Sequence, residues 1–198
     1  MDISNAAIWR KFHIKHGDNL PFIGFARNNY TREDLASVFG ELGFKIGAEI
    51  GVKHGDFAEV LIKACPGLKY IGVDPWIAYG RAVSQPRANR RYACTKERLK
   101  SYDTTLMRMS SMEAVKDIPD GSLDFVYIDG RHEFDFVMED LIHWVPKVRH
   151  LGIVSGHDYY NFFEGGVVQA VNAYTQAHHI TTWYITRDLL PSFFWVKL

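Results

Sequence analysis

A chain of 198 residues is long enough for one well-filled core and short for two. Its 23 Lys and Arg balance its 23 Asp and Glu, so no net field draws it toward nucleic acid or an anionic membrane. No apolar run approaches the ~18 residues of a membrane span, and two cysteines, Cys65 and Cys94, form neither a metal-type pair nor a disulfide framework, which is the pattern of reduced thiols in a cytoplasmic protein.

The first 44 residues are set apart as an N-terminal helical or lid segment, and residues 45–198 are expected to form the main domain. The start, MDISNAAIWRKFHIKHGDNL, lacks the apolar centre of a signal peptide. IWRKFHIKHGDNLPFIGFARNNY is aromatic and basic, and it suits three roles: a lid, a helix covering a sheet edge, or a contact in a homodimer. KIGAEI (45–50) then reads as a strand, and DFAEVLIKA (56–64) as a helix with Phe57, Val60 and Leu61 on one face. KYIGV (69–73) is a second strand and NRRYACTKERLKSY (89–102) a helix. The basic run within 87–100 reads as its solvated face. TTLMRMS (104–110) is a third strand, followed by a short helix at 111–117, and LDFVYI (123–128) is a fourth strand after the turn PDGS.

EFDFVMEDLIHWVPKV places Phe134, Val137, Leu141 and Trp144 on a helical stripe that stops near Pro146. GIVSG (152–156) is a fifth strand, and GGVVQAVNAYTQAHH a helix with Val167, Val171 and Tyr174 on one face. ITTWYIT (180–186) and SFFWVKL (192–198) have no room for a helix between them and are expected to pair as an antiparallel hairpin. The whole is an α/β chain: a doubly wound, mostly parallel seven-stranded sheet with helices on both faces and an antiparallel C-terminal hairpin. Ligands of such sheets sit beyond the carboxyl ends of the strands, at the switch point.

GAEIGVKHG (47–55) is the loop at the end of the first of these strands. Glycines there let backbone N–H groups approach a ligand closely. The pattern Glu49-x-Gly51-x-x-x-Gly55 is wider than the tight dinucleotide turn G-x-G-x-x-G, and no Gly-Lys-Ser/Thr follows. Glu49 would repel a phosphate and favours a ligand with a cationic end. Asp74, 23 residues after Gly51, stands where an acid can accept both ribose hydroxyls, with Pro75 beside it.

Acid-x-Gly-x-x-x-Gly resembles the first motif of class I S-adenosylmethionine (SAM)-dependent methyltransferases. YIDGRHEFDFVMEDLIHWVPKVRHLGIVSGHDYY (127–160) looks like a small branch of that family with I-D-G-x-H-x-aromatic, D-L-x-x-W-x-P and G-H-D-Y. The resemblance covers roughly residues 45–175. It implies SAM as methyl donor, held by Glu49, Gly51, Gly55, Asp74, Pro75, Ser111 and Asp129, with Ser110 and Ser111 where relatives hold the adenine amino group. Ser111 as a plain helix cap, and Trp76 as a core indole rather than a cleft wall, are the alternatives.

The resemblance also places Asp129, His157 and Asp158 at adjacent strand ends. Relatives acting on sugars and catechols use acids there to bind a divalent metal, and an Asp, His, Asp set suits Mn, Fe or Zn better than Mg. Alternatively His157 or His132 serves as general base without metal. His157 stands where metal-dependent relatives carry a second aspartate, Arg131 where they often carry an acid, and RHLGIV replaces their Pro-Gly-Gly turn. The expected activity is O-methylation of a small hydroxylated acceptor, such as a sugar, a phenol or a polyketide-like molecule. Two rivals are weighed against it. One is a degenerate SAM-binding scaffold, and the other an NAD-linked oxidoreductase, which the loop spacing disfavours.

Overall fold

The computed structural model describes residues 1–15, 22–23, 30–80, 82–162 and 165–198. Helix α1 (Ile3–Lys11), a two-residue strand β1 (Phe22–Ile23) and helix α2 (Arg32–Glu41) come first. The alternation that follows is β2 (Ile46–Ile50), α3 (Asp56–Ala64), β3 (Lys69–Val73), α4 (Gln85–Leu99) and β4 (Thr104–Met107). It continues through α5 (Ser111–Ala114), β5 (Leu123–Ile128), α6 (Phe134–Trp144), β6 (Val148–Gly156) and α7 (Val167–Ala177). Strands β7 (Tyr184–Ile185) and β8 (Phe193–Val196) close the chain.

The strands form one sheet in the order β1-β7-β8-β6-β5-β2-β3-β4. From β2 to β6 every pairing is parallel, while β8 runs antiparallel to both β6 and β7. These are the seven strands and the hairpin anticipated from the sequence. β1 is an addition, pairing parallel with β7 at the sheet edge. The chain winds from β2 outward through β3 to β4, then returns to the other side of β2 as β5, so the switch point lies between β2 and β5.

Some boundaries differ from those the periodicity predicts. α4 begins at Gln85, four residues before the hydrophobic pattern, with Pro86, whose fixed φ suits a first turn, at its start. β6 begins at Val148 rather than Gly152, with a register shift against β5 between Leu123 and Phe125. Phe134, expected on the buried stripe of α6, is 41% exposed, whereas Val137, Leu141 and Trp144 are buried.

Alternation along the strands divides the core in two. Phe125 and Tyr127 of β5 face α1, α2 and α3, packing with Leu35, Phe39, Phe57 and Leu61. Val126 and Ile128 face the other way, toward Val137, Leu141 and Trp144 of α6 and Val171 of α7. Each such side chain contributes about 1.5–3 kcal/mol on leaving water. α1 docks on the first of these cores through Ala7, Ile8 and Phe12. Its polar residues tie it to the far end of the chain. Trp9 Nε1 donates to Tyr184 Oη at 2.9 Å, Tyr184 Oη donates to Asn5 Oδ1 at 2.6 Å, and Ser4 Oγ donates to the Leu151 carbonyl at 2.6 Å. Most of the candidate lid between residues 12 and 30 lies outside the described residues. No helix among the described residues is long and apolar enough to cross a membrane.

Candidate active site

The glycine loop leaves β2 at the switch point. Gly51 has φ 94°, and a Cβ built on it would stand 1.9 Å from the carbonyl oxygen of Asp129. No side chain fits there, because the loop after β2 lies directly against the end of β5. Gly55, φ 75°, is the N-cap of α3. Between them Lys53 is also left-handed, at φ 56°.

Asp74 steadies this loop. Its Oδ2 accepts from the Lys53 N–H at 2.9 Å and its Oδ1 from the Trp76 N–H at 2.7 Å. Two of about four lone-pair positions are thus taken, which leaves two for ribose hydroxyls. Trp76 is buried, with Nε1 donating to the Lys53 carbonyl at 2.9 Å. The indole is a structural brace for the loop, and Pro75 is half-buried beside it.

Glu49 is 2% exposed on the face of β2 toward α3, and Tyr70 Oη donates to its carboxyl group. Burial raises its pKa from the ordinary 4.5 to about 8, against the pull of the Tyr70 hydrogen bond and of Arg32, while Asp129 and Asp74 add to the rise. Arg32, at the start of α2, lies with its guanidinium carbon 4.7 Å from the centre of the Phe57 ring and Nη1 3.9 Å from Asp129 Oδ2.

The chemistry-bearing groups converge one strand over. Asp129 follows β5; His157 and Asp158 follow β6; His132 opens the loop into α6. His132 Nε2 is 2.9 Å from Asp158 Oδ2 and 3.9 Å from Asp129 Oδ1. His157 is 8% exposed, with Nδ1 3.7 Å from Asp129 Oδ2 and 3.5 Å from Asp158 Oδ1. The two carboxylates, Asp129 first and then Asp158, push His132 up to about 9 despite its partial burial. Burial opposes ionisation of Asp158, yet hydrogen bonds from His132 and His157 hold it well below the carboxylate range. Asp158 has φ 58°, an unusual backbone state for a side-chain-bearing residue that aims its carboxylate at His132.

One ligand atom each from Asp129, His132 and Asp158 lies within 4.8 Å of the others, a spacing that a divalent first-row cation can span. His132, pushed up to about 9, can carry positive charge between the two acids at neutral pH. The sequence-based trio named His157 where this cluster has His132. His157 sits behind, more deeply buried, against the same two acids.

Ser110 caps α5 in a capping box with Glu113, so Ser111 is free of that duty. Ser111 Oγ instead donates to Asp140 Oδ1 and accepts from Trp144 Nε1 at 2.7 Å. Its single proton and one lone pair are used; the remaining lone pair can only accept. Asp140 is 5% exposed, with burial raising it to about 6.

Arg32, Tyr70 and Asp140 were not singled out from the sequence. Asp140 and Trp144 stood in the D-L-x-x-W pattern without a role, whereas Arg32 and Tyr70 lie in stretches that carry no motif.

Residues 48–159 match the family described as Methyltransferase domain. The O-methyltransferase from Bacillus cereus in complex with SAH superposes with a TM-score of 0.62 at 11% identity, over 100% of this chain and 92% of that one. Cofactor-bound Rv0187 from MTB gives 0.60 at 11% identity, over 98% and 88%. At such identities the likeness is one of fold. Uncharacterized protein y4gI of Sinorhizobium fredii (strain NBRC 101917 / NGR234) is 40% identical over 53 residues, which are 27% of this chain and 6% of that protein, so the chain matches only a small part of that relative's length. With the glycine loop, the acid after β3 and the matched span all in register with this sheet, the chain belongs to the Methyltransferase domain family.

Proposed function

We propose that the chain moves the methyl group of SAM to a hydroxyl oxygen of a small acceptor. One observation carries this reading. Asp129 serves both halves of the site at once: its carbonyl abuts Gly51 of the donor loop, while its carboxylate faces His132 and His157. A donor seated on the loop and an acceptor seated on the cluster would therefore be neighbours, and in-line methyl transfer is promoted largely by such positioning.

In this reading Glu49 takes the ammonium end of the donor, Asp74 the ribose hydroxyls, and Pro75 lies along the nucleoside. Ser111, left with an acceptor lone pair, receives an N–H of the adenine amino group. Asp129, His132 and Asp158 would hold a divalent cation; when bound, it lowers the pKa of an acceptor hydroxyl. Without it, His132 keeps its proton at neutral pH and steadies the developing oxyanion. Proton removal then falls to Asp129 or His157, which lie beside it. The two free cysteines, Cys65 buried and Cys94 exposed, support a cytoplasmic setting.

The test is calorimetric titration of chelator-treated protein with SAM, S-adenosylhomocysteine and NAD, with and without Mn²⁺, followed by transfer of labelled methyl to catechol, sugar and polyketide-like acceptors. Binding of both adenosyl ligands without NAD, and label in at least one acceptor, is the expected result. Donor binding with no transfer would favour a scaffold that holds SAM without using it. NAD binding alone would sink the reading.

A further inference from the structure

A second concavity lies away from the switch-point cleft. It is an open pocket of about 510 Å³ lined by His54, Arg87, Arg90, Arg91 and Cys94. That volume lies in the small-molecule range of about 300–1,000 Å³. The spacing 87, 90, 91, 94 is one stripe of α4, and the stripe faces His54 at the tip of the glycine loop.

Three features mark the pocket as electrically unfinished. Among the described residues, none of the three guanidinium groups is ion-paired with a carboxylate. Arg87 Nη1 spends one donor on the Ala82 carbonyl, at 3.1 Å. Arg91 Nε is buried and has no hydrogen-bond partner, alone in this among the buried side-chain polar atoms of the described residues. His54 is held below the ordinary imidazole value by burial and then by the Arg91 charge. Further along, Arg98 pairs with Asp56 and Lys100, just past the helix, with Glu97, while Lys96 lies over the Tyr92 ring. Three guanidinium groups without a carboxylate partner thus lie within about two helical turns, in a chain whose total charge is zero.

We propose that this pocket binds the phosphate or diphosphate group of a small molecule distinct from the methyl donor. Guanidinium groups match phosphate oxygens with paired N–H donors, and three of them around one concavity exceed what a single carboxylate requires. SAM has no phosphate, so the ligand is a second molecule. The cationic stripe is too short to track a polymer backbone, which needs cations in succession along its path.

Inorganic pyrophosphate is the probe, titrated into the full chain at neutral pH against sodium chloride of equal ionic strength. We expect saturable binding that weakens about tenfold or more in Arg90→Gln/Arg91→Gln. SAM should neither compete with it nor be displaced by it. Inorganic phosphate run alongside separates a monoester from a diphosphate preference. In the wild-type chain pyrophosphate should also slow alkylation of Cys94 by iodoacetamide several-fold. Cys94 is the exposed cysteine of the two, so this readout needs no variant and stands if the double variant fails to fold. The proposal is overturned by equal pyrophosphate affinity in a folded double variant, by an unchanged Cys94 rate, or by displacement with SAM. It is equally overturned if a single-stranded oligonucleotide binds more tightly than pyrophosphate with the same sensitivity to the two substitutions.

Discussion

Replacing Glu49 with Gln should make the unliganded protein more stable and the donor bind worse. A carboxyl group raised from 4.5 to about 8 costs about 5 kcal/mol to hold ionised in the fold. The sign follows from proton counts. Between these two values the native state binds more protons at this site than the unfolded state, so stability falls as pH rises. From about pH 5.5 to about pH 8.5 the loss from this one group is about 3 kcal/mol. Gln has the same shape, keeps a partner for the Tyr70 hydroxyl and does not titrate. Urea unfolding of both proteins at several pH values reads the difference directly. The wild-type curve should fall relative to the variant by about that amount across the interval and level off above pH 8. His132, also raised, contributes equally to both proteins and drops out of the comparison. Donor affinity, measured on the same samples, should fall about tenfold or more in the variant, because a neutral amide does not pair with an ammonium. Parallel pH curves for the two proteins would refute the claim that burial raises Glu49.

Gly51→Ala places a methyl group 1.9 Å from the Asp129 carbonyl at a positive φ. Its melting curve should show a loss of about 2 kcal/mol or more; an unchanged curve would mean that the loop and β5 are not in contact. Asp74→Ala removes the acceptors of the Lys53 and Trp76 N–H groups, so it should lower stability by about 1–3 kcal/mol as well as weaken SAM binding. Loss of binding with full stability would assign Asp74 to the ligand alone. In Mn²⁺ titrations His132→Ala should abolish the heat of binding while His157→Ala retains most of it; the reverse order would restore His157 to the ligand set.

The parallel sheet and the glycine loop at the end of β2 were legible because their signals are local. Gly51, Gly55 and Asp74 sit at fixed distances from strand ends, and those ends show as apolar runs. The cluster was legible in part. Asp129 and Asp158 end strands, but the choice between His132 and His157 turns on which imidazole lies in the mouth. That depends on the left-handed backbone at Asp158, and no spacing reveals it. Arg32 was invisible for a related reason: it belongs to a segment far from the motif and reaches Asp129 only through the docking of α2. The loop-bracing hydrogen bonds of Asp74 were not disclosed by its position, because backbone hydrogen bonds to a side chain leave no mark on composition. The length of β6 was missed where a register shift lets the strand begin before its glycine.

The hydrogen bonds of Tyr184 bear on how the chain reaches this fold. Its hydroxyl joins Asn5 and Trp9, positions separated from it by 179 and 175 residues. Within this sequence α1 is made before its partners on β7, which follow about ten seconds or more later at ordinary elongation rates. Until then Ile8 and Phe12 have no complete core to enter. Closure of the sheet edge by β7 and β8 against α1 is thus a long-range event of the kind that slows folding.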